Sequence, residues 1–339
     1  MYSDEFFMER CIQLAQLGKG KVAPNPLVGA VIVHQNKIIG EGYHEKYGFA
    51  HAEVNAVNSV KDPSLLKEST IYVSLEPCAH YGKTPPCALL LTQIEIKRVV
   101  IGSFDTFSEV NGKGIEILKE KGIEVKLGVL EQECRALNKH FFTFHELQRP
   151  YILLKWAESK DGFLDKNGKQ HWISAPETQA LVHKRRSEYQ GILVGRKTIE
   201  NDNPSLTVRA FQGGNPIRIV IDSELRLEMT STIFNDEAPT IILNKIKESH
   251  EGNIKWVKLE IIKPKSIVAA LYKLDIQSVL IEGGKTTLQS FIDANIWDEA
   301  MVIQGKSILN NGTESPEIKI KPFEEMLFFG DRILTYYNA

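Results

Sequence analysis

Short apolar, β-branched runs alternate with amphipathic helical patterns along almost the whole chain, and this alternation restricts the fold more than any other feature of the sequence. Such alternation is typical of helices packed on both faces of a largely parallel sheet. It is interrupted at Gln148-Arg149-Pro150, and a new strand pattern begins directly afterwards. We therefore expect two α/β domains, covering residues 1–147 and 148–339.

The periodicity also predicts where the elements lie. In the first half, the predicted strands cover residues 27–33, 37–43, 70–75, 98–102 and 123–129. The predicted helices there cover residues 4–17, 52–60, 87–93, 113–121 and 131–146. In the second half, the predicted strands cover residues 151–156, 191–194, 217–221, 240–243 and 279–281, and a helix covers 286–294. Ser174-Ala175-Pro176-Glu177 is predicted to open another helix as a capping box.

Charge and hydropathy exclude several classes of partner. The formal net charge is −2, from 41 basic and 43 acidic residues, so the whole chain does not attract nucleic acid. No apolar run approaches the ~20 residues needed to cross a bilayer, and the first residues lack the basic-then-apolar order of a secretory signal. We expect a cytoplasmic protein. Its four cysteines, at positions 11, 78, 87 and 134, are then better explained as metal ligands or buried thiols than as disulfides.

An ordered set of metal-binding residue types lies in the first half. His51-Ala52-Glu53 opens a predicted helix, and Pro77-Cys78 and Cys87 follow downstream, each near a helix start. One imidazole and two thiolates can hold zinc and leave a fourth position for water, which zinc acidifies to a pKa of about 7. Glu53 could then carry protons, and the pattern matches the signature of zinc-dependent deaminases. A structural zinc site, the alternative, would need a fourth ligand such as His80 or His44.

The two zinc-site cysteines are separated by a long loop. Eight residues, from Ala79 to Pro86, lie between Cys78 and Cys87. A loop of this length beside a metal should line the substrate pocket. Lys83 within it could meet a substrate phosphate, although a solvated surface lysine is the alternative.

Two segments of the second half could bind phosphate. A predicted strand ends in Glu282-Gly283-Gly284, where glycines let backbone N–H groups approach an anion, although a plain turn explains them equally well. Arg196-Lys197-Thr198 follows the carboxyl end of another predicted strand, which is where α/β folds bind ligands. A solvated basic loop is the alternative explanation of this triplet. No Gly-x-Gly-x-x-Gly follows a strand, so a classical dinucleotide fingerprint is not supported.

Taken together, the motifs of both halves resemble the bacterial bifunctional riboflavin-biosynthesis deaminase–reductases. In the first half these are Pro24-Asn25-Pro26, His51-Ala52-Glu53 and Glu76-Pro77-Cys78 with the loop that ends at Cys87. In the second half they include Trp172-Ile173-Ser174, Asp202-x-Pro204-x-Leu206 and Glu282-Gly283-Gly284. The resemblance implies a cytidine-deaminase-like three-layer αβα domain followed by a dihydrofolate-reductase-like α/β domain.

The resemblance also implies roles for individual residues. The zinc ligands would be His51, Cys78 and Cys87, and Glu53 would be catalytic. The deaminase substrate would contact Asn25, His44, His80 and Lys83. NADPH would contact Ala157, Trp172, Thr198, Asp202, Ser223 and Gly284. The reductase substrate would contact Arg186, Leu206, Arg209 and Glu282, two of them arginines suited to a ribose phosphate.

The implied function is two consecutive steps of riboflavin biosynthesis. The substrate, 2,5-diamino-6-(5-phosphoribosylamino)pyrimidin-4(3H)-one, would lose its ring 2-amino group to water, and NADPH would then reduce the ribosyl chain to ribityl. A homo-oligomer, dimer or tetramer, is expected. Two alternatives are a tRNA deaminase with an accessory domain and a non-catalytic, zinc-stabilised binding module. The near-neutral charge disfavours the first, and Glu53 would have no purpose in the second.

Overall fold

The chain divides into two compact units, Met1–Leu147 and Gln148–Ala339. The computed structural model describes residues 2–79, 81, 85–106, 112–169 and 171–338. Each unit contains its own sheet, with helices packed against it.

The first unit is built on a mixed sheet with strand order β2-β1-β3-β4-β5. Its strands are β1 (Gly29–His34), β2 (Lys37–Tyr43), β3 (Thr70–Leu75), β4 (Arg98–Ser103) and β5 (Glu124–Leu127). Strands β3, β4 and β5 are parallel, but β1 is antiparallel to both β2 and β3. The prediction of a largely parallel sheet is therefore wrong for this edge. Gln35 and Asn36 both have positive φ, as a tight hairpin turn requires, and so they return β2 antiparallel to β1.

Helices cover both faces of this sheet. They are α1 (Asp4–Gln16), α2 (Ala52–Asn58), α3 (Cys87–Gln93), α4 (Lys113–Glu120), α5 (Glu131–Leu137) and α6 (Lys139–Leu147). On one face, Ala56 of α2, Leu91 of α3 and Leu118 of α4 share a buried apolar cluster. On the other, the thiols of Cys11 in α1 and Cys134 in α5 are buried in a second cluster. The three-layer αβα architecture is thus confirmed.

One predicted helix, over residues 131–146, is divided in two at Asn138. The Asn138 side chain donates to the carbonyl oxygen of Leu27 at 2.9 Å and accepts from the Leu27 N–H at 2.8 Å. Asparagine side chains compete with the hydrogen bonds of the helical backbone. Here both polar atoms of the Asn138 side chain bond the backbone of Leu27, which is far away in the sequence. The helix therefore ends at Leu137, and α6 begins at Lys139.

The second unit contains a longer sheet with strand order β10-β11-β9-β8-β7-β12-β6-β13-β15-β14. The strands are β6 (Tyr151–Glu158), β7 (Gly191–Gly195), β8 (Ile217–Ile221), β9 (Thr240–Asn244), β10 (Ser249–Glu251), β11 (Ile254–Lys258), β12 (Ser278–Ile281), β13 (Glu299–Gln304), β14 (Glu324–Phe328) and β15 (Asp331–Tyr337). From β11 to β13 every neighbouring pair is parallel, whereas the pairs at both edges are antiparallel. This half therefore confirms the predicted parallel sheet.

Helices pack on both faces of this sheet as well. They are α7 (Thr178–Glu188), α8 (Arg196–Asp202), α9 (Pro264–Lys273) and α10 (Lys285–Asp293). Leu271 of α9 and Phe291 of α10 are buried in one cluster, while Val182 of α7 and Ile199 of α8 contribute to clusters on the opposite side of the strands.

The predicted capping box at Ser174 is wrong. Helix α7 begins at Thr178, and its N-cap residue Glu177 makes no side-chain capping bond. A buried carboxylate from β15 serves this segment instead, since Asp331 accepts from the Ala175 N–H at 2.8 Å and from the Thr178 hydroxyl at 2.6 Å. A partner so distant in sequence cannot be read from a local motif.

Strand β14 forms an exposed apolar edge of the second sheet. Around it, Phe323 is 77% exposed, Leu327 74% and Phe329 64%. Across the described ranges of the chain, none of the helices is both long and apolar enough to span a membrane.

Candidate active sites

In the first unit, three metal-binding side chains meet at the starts of two helices. His51 is the N-cap of α2, and Cys87 is the first residue of α3. Cys78 lies three residues beyond the end of β3, and its Sγ accepts the Cys87 N–H at 3.3 Å. Helix N-termini carry partial positive charge, which favours thiolates there.

The geometry of this cluster fits zinc. His51 Nδ1 lies 3.5 Å from Cys78 Sγ and 3.4 Å from Cys87 Sγ. Zn–S and Zn–N bonds of usual length at a tetrahedral angle place such atoms about 3.6 Å apart. The three ligand atoms of His51, Cys78 and Cys87 all lie within 4.8 Å of one another. The cluster thus has the donor set of a site that keeps one position for water.

The two thiols of the cluster differ in acidity: Cys78 is acidified, whereas the hydrogen bond to Cys78 and then burial raise the pKa of Cys87. The pKa of Cys78 is lowered, chiefly by the hydrogen bond from the Cys87 thiol and then by His51, against the opposing effect of burial. The first proton therefore leaves the thiol pair easily. A thiolate is the form that binds zinc.

Glu53 lies in the first turn of α2, two residues beyond His51, and is only 3% exposed. Burial raises its pKa to about 7, and the nearby negative charge of Cys78 adds to the effect. A carboxyl group with a pKa near neutrality can both accept and release a proton at neutral pH.

Asn25 and His44 form a polar pair beside the cluster. The ring of His44 stacks edge-on to that of His51, with centroids 5.4 Å apart. His44 Nδ1 lies 3.0 Å from the Ala50 carbonyl oxygen, which assigns the proton to Nδ1, and Nε2 then accepts from Asn25 Nδ2 at 3.1 Å. Both ring nitrogens are thus engaged, and the Asn25 amide is oriented with its oxygen away from His44. The other two predicted substrate contacts, His80 and Lys83, lie outside the described residues.

In the second unit, a cavity of about 1040 Å³ opens at the carboxyl ends of β6, β7, β8 and β12. This is where parallel α/β sheets bind ligands. Most of the residues predicted to contact cofactor or substrate line it, namely Ala157, Trp172, Arg186, Thr198, Asp202, Leu206, Arg209, Glu282 and Gly284. Ser223 is not among the lining residues, and its carbonyl oxygen accepts the Lys245 N–H at 2.9 Å. Gly284 is the N-cap of α10, so that helix begins at the cavity wall.

Two cations share one carboxylate in this cavity. Glu282 accepts from Arg186 Nε at 2.9 Å and from Arg186 Nη2 at 2.7 Å, and Lys155 Nζ lies 4.0 Å from it. Burial alone would raise the pKa of Glu282, but the charges of Arg186 and Lys155 outweigh it and hold the pKa at about 2. Burial lowers the pKa of Lys155, and Glu282 only partly opposes this. Arg186 is therefore paired inside the protein rather than free for a phosphate.

Arg209 is held by its backbone next to this group. Its N–H donates to His183 Nδ1 at 2.9 Å. Burial and then the positive charges of Arg186 and Arg209 lower the pKa of His183 to about 4, so the ring stays a neutral acceptor. The Arg209 guanidinium contacts the hydroxyls of Ser205 and Thr207. Hydroxyls beside a guanidinium are suited to a phosphate group.

Arg196 lies at the start of α8 with acidic neighbours. It pairs with Glu200 one turn along the helix and lies 3.9 Å from Asp222. Arg196 and Lys197 both line the cavity. The basic triplet is thus placed at the ligand site, but the charge of Arg196 is partly compensated.

Sequence reasoning missed two members of the second site. The sequence alone predicts no role for Lys155, although this residue stands inside the apolar strand run Tyr151–Trp156, where an unpaired lysine would be costly. His183 lies on a helical pattern without any local motif, and the sequence carries no signal that would connect it with Arg209.

Together, a His/Cys/Cys cluster with a buried glutamate and a second α/β unit with a polar cavity at its parallel strand ends define a zinc-dependent deaminase joined to a reductase. The family models agree: residues 1–103 match the cytidine and deoxycytidylate deaminase zinc-binding region, and residues 150–313 match the RibD C-terminal domain. The chain belongs to the RibD family of riboflavin biosynthesis proteins.

Similarity to individual members extends over both halves. The RibD protein of Aquifex aeolicus is 40% identical over 332 residues, covering 96% of this chain and 93% of that protein. The RibD protein of Bacillus amyloliquefaciens is 40% identical over 327 residues, covering 93% and 87%. The crystal structure of a diaminohydroxyphosphoribosylaminopyrimidine deaminase/5-amino-6-(5-phosphoribosylamino)uracil reductase from Thermotoga maritima matches with a TM-score of 0.91 at 34% identity, covering 99% of both chains.

Proposed function

We propose that this chain catalyses two consecutive steps of riboflavin biosynthesis. The first unit deaminates the 2-amino group of a diamino-phosphoribosylamino-pyrimidinone, and the second reduces the ribosyl side chain of the product with NADPH. The observation that carries the proposal is the presence, in one chain, of the zinc-compatible cluster and the reductase cavity. Neither a tRNA deaminase nor a zinc-stabilised binding module accounts for both.

In the deaminase site, His51, Cys78 and Cys87 would hold zinc. Zinc held there would lower the pKa of a water molecule and so supply a nucleophile near neutral pH. Glu53 would accept the proton from that water and deliver it to the departing amino group, which leaves as ammonia. Its burial and its pKa of about 7 suit both transfers.

Asn25 is the better placed of the two polar residues to contact the pyrimidine. Its amide nitrogen donates to His44, so its oxygen is the atom directed to accept from a substrate N–H group. His44 then orients Asn25, since both of its own ring nitrogens already have partners. Lys83 remains the proposed phosphate contact of this site.

In the reductase site, bound NADPH would supply hydride for the anomeric carbon of the ribose, and the bond from that carbon to the ring oxygen would have to break. The ring oxygen must take up one proton. Lys155 is a suitable donor because it lines the cavity, its side chain is only 13% exposed and burial lowers its pKa. Glu282, fixed by Arg186, would hold the ammonium group in place.

The remaining cavity residues would bind the two ligands. Ala157, Trp172, Thr198, Asp202 and Gly284 are the proposed NADPH contacts. Ser223, which does not line the cavity, is the NADPH contact with the least support. Arg209 with Ser205 and Thr207 would bind the ribose phosphate. Leu206 would contact the pyrimidine side of the substrate.

We further propose that the protein is cytoplasmic and that it forms a homo-oligomer. The apolar side chains exposed around β14 support the second point, because contiguous exposed apolar surface often marks an interface between chains.

A coupled assay tests the function directly. Purified protein with the diaminopyrimidine substrate, zinc and NADPH should release ammonia and oxidise NADPH. Removing zinc with a chelator should stop ammonia release, while reduction of substrate that has already been deaminated should continue. The expected separation rests on the zinc ligands and the cavity residues belonging to different compact units.

One outcome of the chelation experiment would contradict this prediction. If chelation stopped both reactions while far-ultraviolet circular dichroism showed an intact fold, the reductase would depend on the metal. The proposed division of labour would then be incorrect.

Cofactor preference gives a second prediction, carried by the cations at the start of α8. NADPH differs from NADH by a 2′-phosphate, which Arg196 and Lys197 could bind by charge-assisted hydrogen bonds. Replacing both, Arg196→Ala with Lys197→Ala, should weaken NADPH binding on the order of tenfold and leave NADH binding nearly unchanged. Fluorescence titration of each cofactor measures this.

A suitable control is Arg226→Ala, because Arg226 is exposed and paired with Glu224 away from the cavity wall. Equal losses for NADPH and NADH in the double variant would place the 2′-phosphate elsewhere.

A further inference from the structure

The carboxylate of Glu76, two residues before Cys78, is buried and accepts hydrogen bonds from four backbone N–H groups. Glu76 follows β3 and is 4% exposed. One oxygen, Oε1, accepts from the N–H groups of Gly114 at 3.1 Å and Ile115 at 3.4 Å. The other, Oε2, accepts from those of Asp105 at 3.3 Å and Gly112 at 3.2 Å.

This bonding makes Glu76 the cap of a helix from which it is distant in sequence. Gly112 is the N-cap of α4 and, being glycine, has no side chain that could cap the helix. The N–H groups of Gly114 and Ile115 belong to the first turn, where helices leave backbone donors without internal partners. The carboxylate satisfies them and also meets the favourable positive end of the helix dipole.

The backbone beside Glu76 is equally constrained. The Glu76 N–H donates to the Ser103 carbonyl oxygen at the end of β4, at 3.0 Å. A Cβ atom on Gly114 would lie only 2.0 Å from the Pro77 carbonyl oxygen, so α4 packs directly on the Pro77 backbone. Next along the chain, the Cys78 carbonyl oxygen accepts the Ala88 N–H at 3.1 Å. One continuous set of contacts thus connects α4, through Glu76 and Pro77, to Cys78 and the start of α3.

We propose that Glu76 is a positioning residue for the zinc site, which fixes Cys78, and through it Cys87, by anchoring the Glu76-Pro77-Cys78 segment to α4. It does not touch the ion or the substrate. The proposal rests on the zinc site described under the proposed function. It extends that site to a carboxylate whose role is to hold two thiolates at the distances zinc requires.

The test uses the full-length protein loaded with zinc or with cobalt, whose absorption bands report the arrangement of thiolate ligands. In Glu76→Gln one acceptor oxygen becomes an N–H₂ donor, which faces two backbone N–H groups and cannot bond them. Zinc transfer to a chelator should become about tenfold faster or more, the usual range for loss of an outer support of a metal site. The cobalt bands should shift as well.

Two further variants complete the experiment. Gly114→Ala disturbs the same contact from the helix side, through Pro77, and should also shift the cobalt bands, so it carries the test if Glu76→Gln does not fold. Asp62→Asn is the matched control, because Asp62 also accepts a backbone N–H, that of Ser64, but is exposed and distant in sequence from the ligands. Reductase activity in each sample reports on the other unit.

The outcomes separate this proposal from the function on which it rests. If the unmodified protein bound cobalt without thiolate bands, the zinc site itself would be wrong. If it showed those bands but both variants kept the same spectrum and the same rate of zinc release, Glu76 would have no positioning role.

Discussion

Replacing Glu53 by glutamine should lower the rate of deamination by a factor on the order of 10² or more while zinc stays bound. Glutamine keeps the size and hydrogen-bonding capacity of the side chain but cannot carry a proton. Glu53 is buried in the first turn of α2, where burial raises its pKa to about 7. Ammonia release and metal content, measured on the same sample, check the two halves of the prediction.

The control for this variant is Glu116→Gln, which removes an exposed acidic residue from the first turn of another helix, α4. It should leave ammonia release unchanged. Loss of zinc together with activity in Glu53→Gln would mean that Glu53 is itself a metal ligand, contrary to our assignment.

Replacing Lys155 by methionine should lower the rate of reduction on the order of 10²-fold, because methionine fills the same space but has no proton to donate. NADPH oxidation with substrate that has already been deaminated measures the effect. In the unmodified enzyme, activity should fall with rising pH as Lys155 loses its proton. That decline should occur below the usual range for lysine, since burial lowers its pKa.

Lys155→Met should leave deamination intact. The control variant is Lys273→Met, which changes an exposed lysine at the end of α9 and should leave both reactions intact. A reduction rate in Lys155→Met close to that of the unmodified enzyme would show that the ring oxygen receives its proton from another group. An unchanged pH profile would lead to the same conclusion.

The parts that could be predicted from the sequence are those with short-range signals. The αβα architecture and the need for zinc were predicted correctly from the alternating pattern and from His51-Ala52-Glu53 and Pro77-Cys78, because ligand residue types and strand periodicity are local properties. The family and the need for NADPH were predicted correctly from the resemblance of motifs in both halves to a known family. The roles of the individual site residues remain predictions.

The features that could not be predicted depend on long-range contacts. Asn138 ends a helix because it bonds Leu27, 111 residues earlier. Asp331 supports the start of α7 from 153 residues away, where a local capping box was expected. Likewise, no local signal in the sequence shows that Arg186 is already paired with Glu282 instead of being free for a phosphate.

The position of β6 in its sheet has a consequence for how the second unit is made. During synthesis β6 emerges before any other strand of this sheet, yet its neighbours are β12 and β13, so that Leu153 lies opposite Leu280 and Glu299. Parallel pairing at such long sequence separation is slow, because the chain must close a large loop first. During synthesis, the apolar segment Tyr151–Leu154 therefore cannot form its native strand pairs until β12 and β13 have also been made. Until then the apolar side chains of this segment lack their native cover, and such exposed segments are prone to aggregation.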